Sequence, residues 1–80
     1  TEERRADVVK HVKGLAEDAR ISVRTARQDA HNAFKQMKDN NEMTEDDVRS
    51  ADKQLQESVD ASNKQIDEAA KAKEQAVMTV

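Results

Sequence analysis

The 80-residue sequence predicts an all-α fold, a long antiparallel helical hairpin that is part of a three-helix bundle or is completed by self-association into a four-helix bundle. Three observations carry this. The chain holds one Phe, one Gly and no Trp, Tyr or Pro, whereas strands draw on aromatic and β-branched residues and their turns on Gly and Pro. Apolar residues recur at three- and four-residue spacings along two separate stretches, as in helices with one packed stripe. A single polar interruption, Asp39, Asn40 and Asn41, divides those stretches.

The first helix is expected over about residues 2–38. Thr1 can cap its start, and Glu2 and Glu3 suit the positive end of the helix dipole. Its stripe is Val9, Val12, Ala16, Ala19, Val23, Ala26, Ala30, Ala33 and Met37, a heptad pattern. Gly14 lies inside and weakens the helix by up to about 1 kcal/mol relative to Ala without ending it. The turn is expected over 39–44, because Asn tolerates the left-handed conformation that finishes helices.

The second helix is expected over about residues 45–78. Thr44 and Asp47 form a capping box with the shorter acid in place of Glu, and Met43 can pack on Val48 as a hydrophobic staple. Its stripe is Val48, Leu55, Val59, Ser62, Ile66, Ala69, Ala76 and Val80, flanked by Ala70 and Val77, with Asp52 and Lys73 also falling on it. The seam is thus rich in Ala and interrupted by charge. Such a seam buries too little area against one partner helix to offset the entropy of ordering the chain. A third helix is therefore expected, from a preceding segment or from a second copy.

No Cys is present, no apolar run approaches the ~20 residues of a membrane span, and the first ten residues lack the apolar stretch of a signal peptide. A cytoplasmic protein without a membrane role is expected. The chain begins with Thr, which fits a trimmed start or a piece of a longer chain.

Charge is unevenly distributed. Residues 1–38 carry nine Lys or Arg against six Asp or Glu, a net of +3, while residues 39–80 carry five against eleven, a net of -6. Only the first half is suited to face a polyanion. On the second helix Glu45 and Arg49, Lys53 and Glu57, Asp60 and Lys64, and Asp67 and Lys71 are four apart and read as a solvated, self-paired face without a binding role of its own.

On the first helix most basic residues also have an acidic neighbour, including Arg5 with Glu2 and Arg20 with Glu17. Arg24 and Arg27 do not. No carboxylate lies three or four residues from either, and with His31 they form a short basic stripe that the heptad phasing sets opposite the packed seam. Two readings follow. The arginines contact a phosphate backbone, for which the planar guanidinium fork is suited, or they are ordinary solvated surface or pair with carboxylates of the missing helix. On charge patterning alone the second reading is favoured.

Catalysis is not expected. His11 and His31 are twenty residues apart, without HExxH or Glu-x-x-His spacing, and read as surface histidines rather than metal ligands. Phe34, Met37 and Met43 close the turn end of the bundle, and Glu45, Asp46 and Asp47 are helix-start residues. No catalytic residue, metal, cofactor or small-molecule substrate is expected.

Several elements in order, Thr1 to Arg5, Glu17, Arg20, Arg24 and Arg27 followed by Asp29, the Glu45 to Asp47 cluster, and Lys73 and Glu74 near Val80, together resemble the C-terminal portion of the bacterial ribosome recycling factor family. The resemblance runs the whole length of the chain. It implies a rod of three long helices, interrupted after the first helix by a β-rich second domain, with this chain supplying helices two and three. The preceding helix and the β-rich domain would then be absent here. It also implies a non-enzymatic activity: with elongation factor G, the full-length factor separates the subunits of the post-termination ribosome. Arginines of helix two in that family contact large-subunit ribosomal RNA. The family motif Arg-Asn-x-Arg-Arg reads Arg24, Thr25, Ala26, Arg27, Gln28 here, so two positions differ and the two principal arginines remain. Arg5 and Arg20 are secondary RNA-binding candidates. Elongation factor G would be a partner of the full-length protein only, and the isolated chain would form homo-oligomers. The competing reading is a structural hairpin or coiled-coil interaction module without RNA binding.

Overall fold

The computed structural model describes residues 1–78 as two long helices, α1 (Glu2–Asp39) and α2 (Glu45–Met78), packed as one antiparallel hairpin with Cα extents of 60 × 15 × 9 Å. The Thr1 hydroxyl accepts the Arg4 backbone N–H at 3.3 Å and so caps α1. At the other end the helix closes in a Schellman arrangement. The Glu42 N–H donates to the Met37 carbonyl at 2.8 Å and the Asn41 N–H to that of Lys38 at 3.0 Å. Asn41 stands at φ 61°, the left-handed conformation this closure requires and Asn accepts.

The start of α2 is a reciprocal capping box. The Asp47 N–H donates to the Thr44 hydroxyl and the Thr44 N–H to the Asp47 carboxylate, both at 3.0 Å. Lys38 and Glu45 add an ion pair of 3.6 Å across the turn. Met43 and Val48 are both half-buried.

Packing departs from the heptad phasing in an informative way. On α1 the sheltered positions include Val9, Val12, Ala16, Arg20, Val23, His31 and Phe34, whereas Ala26, Ala33 and Met37 are exposed. On α2 the sheltered positions include Val48, Asp52, Leu55, Val59, Asn63, Ile66, Ala70, Glu74 and Val77, whereas Ala69 and Ala76 are exposed. Val80 lies outside the described residues. These sets repeat every eleven residues, as in 9, 20, 31 and 12, 23, 34 on α1 and 48, 59, 70 and 55, 66, 77 on α2. The cause is geometric. A strict seven-residue repeat drifts about 20° per heptad around a straight helix, so the heptad stripe leaves the seam as it climbs.

The seam is thin. Among the described residues Ala16, at 7% exposure, is the only one fully buried. Leu15 is 55% and Ile21 46% exposed. The hairpin exposes 6329 Å², against about 4,900 Å² for a typical compact protein of 9.0 kDa. Along one flank Val12, Leu15, Ala19, Ile66, Ala69 and Ala70 line an apolar trough of 310 Å³.

Candidate nucleic-acid interface

The flank across the seam from that trough is polar, and its pattern follows from the eleven-residue phasing. At ~100° per residue, Arg20, Arg27 and His31 lie within ~60° of Ala16 around α1, and Arg24 within ~80°. The basic stripe is therefore beside the seam, not opposite it as the heptad phasing has it. The side chains of Arg27 and His31 reach α2.

Four cross-helix contacts climb this flank as rungs. Lys38 pairs with Glu45 at 3.6 Å, His31 Nδ1 meets the Asp52 carboxylate at 2.8 Å, Arg27 Nε donates to Gln56 Oε1 at 2.9 Å, and Arg20 Nη2 meets Asp67 at 2.8 Å. Three of these rungs end on a carboxylate. The Arg27 rung ends on a neutral amide, and Arg24, between Arg27 and Arg20, has no hydrogen bond or ion pair among the described residues. Together Arg20, Val23, Arg24, Arg27, Val59 and Asn63 line a shallow groove of 220 Å³. Asn63 Oδ1 is buried there without a hydrogen-bond partner.

Arg20 differs in kind from its neighbours. Its Nε and Nη2 both donate to one Asp67 oxygen, at 3.2 and 2.8 Å, and its Nη1 donates to Glu17 at 3.2 Å. The hydrogen bond it donates to Asp67 raises its pKa above the ordinary arginine value, against a lowering by desolvation and with smaller contributions from the Asp67 charge and from Glu17. Arg20 is thus compensated twice. Arg5 sits half-buried at the open end of the hairpin, 3.8 Å from Glu2. At ~1.5 Å per residue it lies roughly 33 Å along α1 from Arg27, so the two do not share a surface patch. The four candidate arginines therefore sort into an uncompensated pair, a compensated neighbour and a distant outlier.

Several pairings expected within α2 take other partners. Arg49 pairs with Asp46 at 3.5 Å rather than with Glu45, and Asp67 turns to Arg20. Asp60 accepts the Gln56 amide at 2.9 Å. Lys53, Lys64 and Lys71 make no ion pair among the described residues. Side chains of α2 therefore line the candidate surface. Gln56 and Asn63 escape a reading based on neighbours within one helix, because their relevance arises across the seam. Counting in elevens would set both beside the α1 arginines. His31 is likewise no free surface histidine, since it is half-buried against Asp52, while His11 is exposed.

Among the described residues no group of three His, Cys, Asp or Glu is placed to hold a metal ion. No described helix is long and apolar enough to cross a membrane. What the flank offers chemically is a row of guanidinium donors in which two, Arg24 and Arg27, meet no carboxylate.

Comparison with known proteins gives that charge a context. The ribosome recycling factor from Caldicellulosiruptor saccharolyticus is 45% identical over 80 residues, covering 100% of this chain and 44% of the relative. Those from Bacillus cytotoxicus and Bdellovibrio bacteriovorus are 44% and 40% identical over the same span, each with 43% of its length covered. The chain thus spans less than half the length of these relatives. The family model described as ribosome recycling factor matches residues 1–78, and the chain belongs to that family.

Proposed function

We propose that this hairpin contacts the phosphate backbone of large-subunit ribosomal RNA through Arg24 and Arg27, as the helical part of a longer, non-enzymatic translation factor. In the complete protein this contact serves the separation of the post-termination ribosome into subunits, in the cytoplasm and together with elongation factor G. The single observation that supports it is the gap in the cross-helix ladder. Carboxylates answer Lys38, His31 and Arg20, but α2 places none within an ion pair of Arg24 or Arg27. A helix pair that balances its other polar rungs and leaves these two open presents positive charge to an outside anion.

Arg20 is a weaker RNA ligand in this reading, because Asp67 and Glu17 compete for its donors. Arg5, roughly 33 Å along α1 from Arg27, lies outside the central contact. Thr25 and Gln28 depart from the family motif. Both are exposed, and the Gln28 amide donates to Asn32 at 3.0 Å, so α1 itself absorbs that side chain. The family membership weighs against a purely structural interaction module.

The test uses the full-length protein and purified large ribosomal subunits. Arg27→Ala is expected to weaken binding and to lower the slope of log affinity against log salt by about one unit, as one phosphate contact is lost. Wild-type affinity with a wild-type slope would count against RNA contact at this site.

A further inference from the structure

We infer that Gln56 of α2 is a positioning residue for anion binding, holding the Arg27 guanidinium in place without neutralising it. This rests on the reading of Arg27 as an RNA contact. It adds a second helix to that contact.

The geometry is a three-member relay. Arg27 Nε donates to Gln56 Oε1 at 2.9 Å, and Gln56 Nε2 donates to the Asp60 carboxylate at 2.9 Å. The chemistry at both ends fixes the amide orientation. A guanidinium can only donate, so the Gln56 oxygen faces Arg27; an ionised carboxylate can only accept, so the Gln56 nitrogen faces Asp60. Neither end tolerates the flipped amide. Gln56 and Asp60 are one turn apart on α2, which keeps the relay short and its register set by the helix.

Consequences follow for the guanidinium. Its five N–H groups include one on Nε, and that one is taken by Gln56. The four on the two terminal nitrogens have no partner among the described residues. They form the end-on edge of the fork, which matches two oxygens of a phosphate. Arg27 is thereby restrained before any ligand arrives, and less side-chain freedom is lost on binding. Arg24 has no such restraint.

The choice of an amide is what makes the device work. A Glu at position 56 would hold Arg27 as well, but would compensate its charge as Asp67 compensates Arg20 at 2.8 Å. A neutral acceptor orients the cation and leaves its charge available. Asp60 completes the relay from one residue further away, polarising the amide without an ion pair to Arg27.

The test measures affinity of the full-length protein for purified large ribosomal subunits across a series of KCl concentrations, for wild type, Arg27→Ala, Gln56→Met, Gln56→Glu and the double variant Arg27→Ala with Gln56→Met. Met keeps the length and helix preference of Gln while removing the acceptor. Gln56→Met is expected to weaken binding about twofold to tenfold, the range of one hydrogen bond, while keeping the wild-type salt slope. In the Arg27→Ala background the same change is expected to have no effect. Gln56→Glu is expected to lower the salt slope by close to one unit, because the carboxylate then competes with the phosphate. Wild-type affinity for Gln56→Met, or a loss that persists in the Arg27→Ala background, overturns the positioning role. So does a wild-type slope for Gln56→Glu, which carries the test should Gln56→Met fail to fold. If Arg27→Ala itself binds as wild type, the underlying RNA contact is what fails. If Arg27→Ala weakens binding and Gln56→Met does not, only the positioning role is lost.

Discussion

Three arginines within eight residues of one helix have three different electrostatic situations. Arg20 is held by Asp67 and Glu17, Arg27 by a neutral amide, and Arg24 by nothing among the described residues. The raised pKa of Arg20 has a definite sign. A cation whose folded pKa is raised contributes stability that is complete below its unfolded value and is lost as pH rises through the folded one. For arginine that window is strongly alkaline, so this group adds no pH dependence near neutrality. Salt is the more useful probe, since the pair is solvent-accessible and the Debye length shrinks to about 3 Å at about 1 M. Arg20→Gln is expected to lower the thermal midpoint of the full-length protein's helical domain at low salt, with the difference shrinking at high salt. An equal loss at both, measured by circular dichroism, would mean the side chain acts through packing instead.

At the scale of the helices, local chemistry sets where each begins and ends. Gly14 lies within α1, and an added Cβ there meets nothing within 4 Å. Gly14→Ala is expected to stabilise the domain by about 0.5–1 kcal/mol, because it removes backbone freedom from the unfolded chain without a clash. A destabilised Gly14→Ala in chemical denaturation would place another segment of the full-length protein against that surface. Thr44→Ala removes the acceptor for the Asp47 N–H and is expected to cost about 1 kcal/mol. Asn41, at φ 61°, should tolerate Gly and resist Val, since a β-branched side chain is strained in that conformation.

The same scale shows how much of the site was legible. The two caps, the break at Asn40 and Asn41, and the absence of a carboxylate three or four residues from Arg24 or Arg27 are local features, and each can be read from residues a few positions apart. The phase of the seam is not local. A heptad reading separates from the eleven-residue pattern by only about 20° per heptad, which is small near Val9 and large by Ala33 and Met37. That accumulated angle, about 50° by Arg27, brings the basic stripe toward the seam. Gln56 and Asn63 were hidden for the same reason: the Arg27 partner of Gln56 is 29 residues away, and Asn63 lines its groove together with residues of α1.

For the whole molecule, the two flanks of the hairpin have opposite characters. One is an apolar trough lined by Leu15 and Ile66; the other is the ladder with its open pair of arginines. With Ala16 alone fully buried among the described residues, two helices shield too little apolar surface to hold themselves rigid. The 80-residue chain by itself is expected to self-associate through the trough, and Ile66→Asp to abolish that assembly together with much of its helicity. Sedimentation equilibrium showing a stably helical monomer for the unaltered chain would refute this. The two surfaces share no lining residue.

The sequence by itself determined the class and the connectivity of this protein. Composition excluded strands, two caps and one Asn-based stop placed a single turn, and the distribution of charge left residues 1–38 with a net positive charge. Only the tertiary structure decided which cations are compensated. Whether Arg20, Arg24 or Arg27 meets a carboxylate depends on the register and rotation of α2 against α1, and those are set by side chains some thirty to fifty residues apart in sequence.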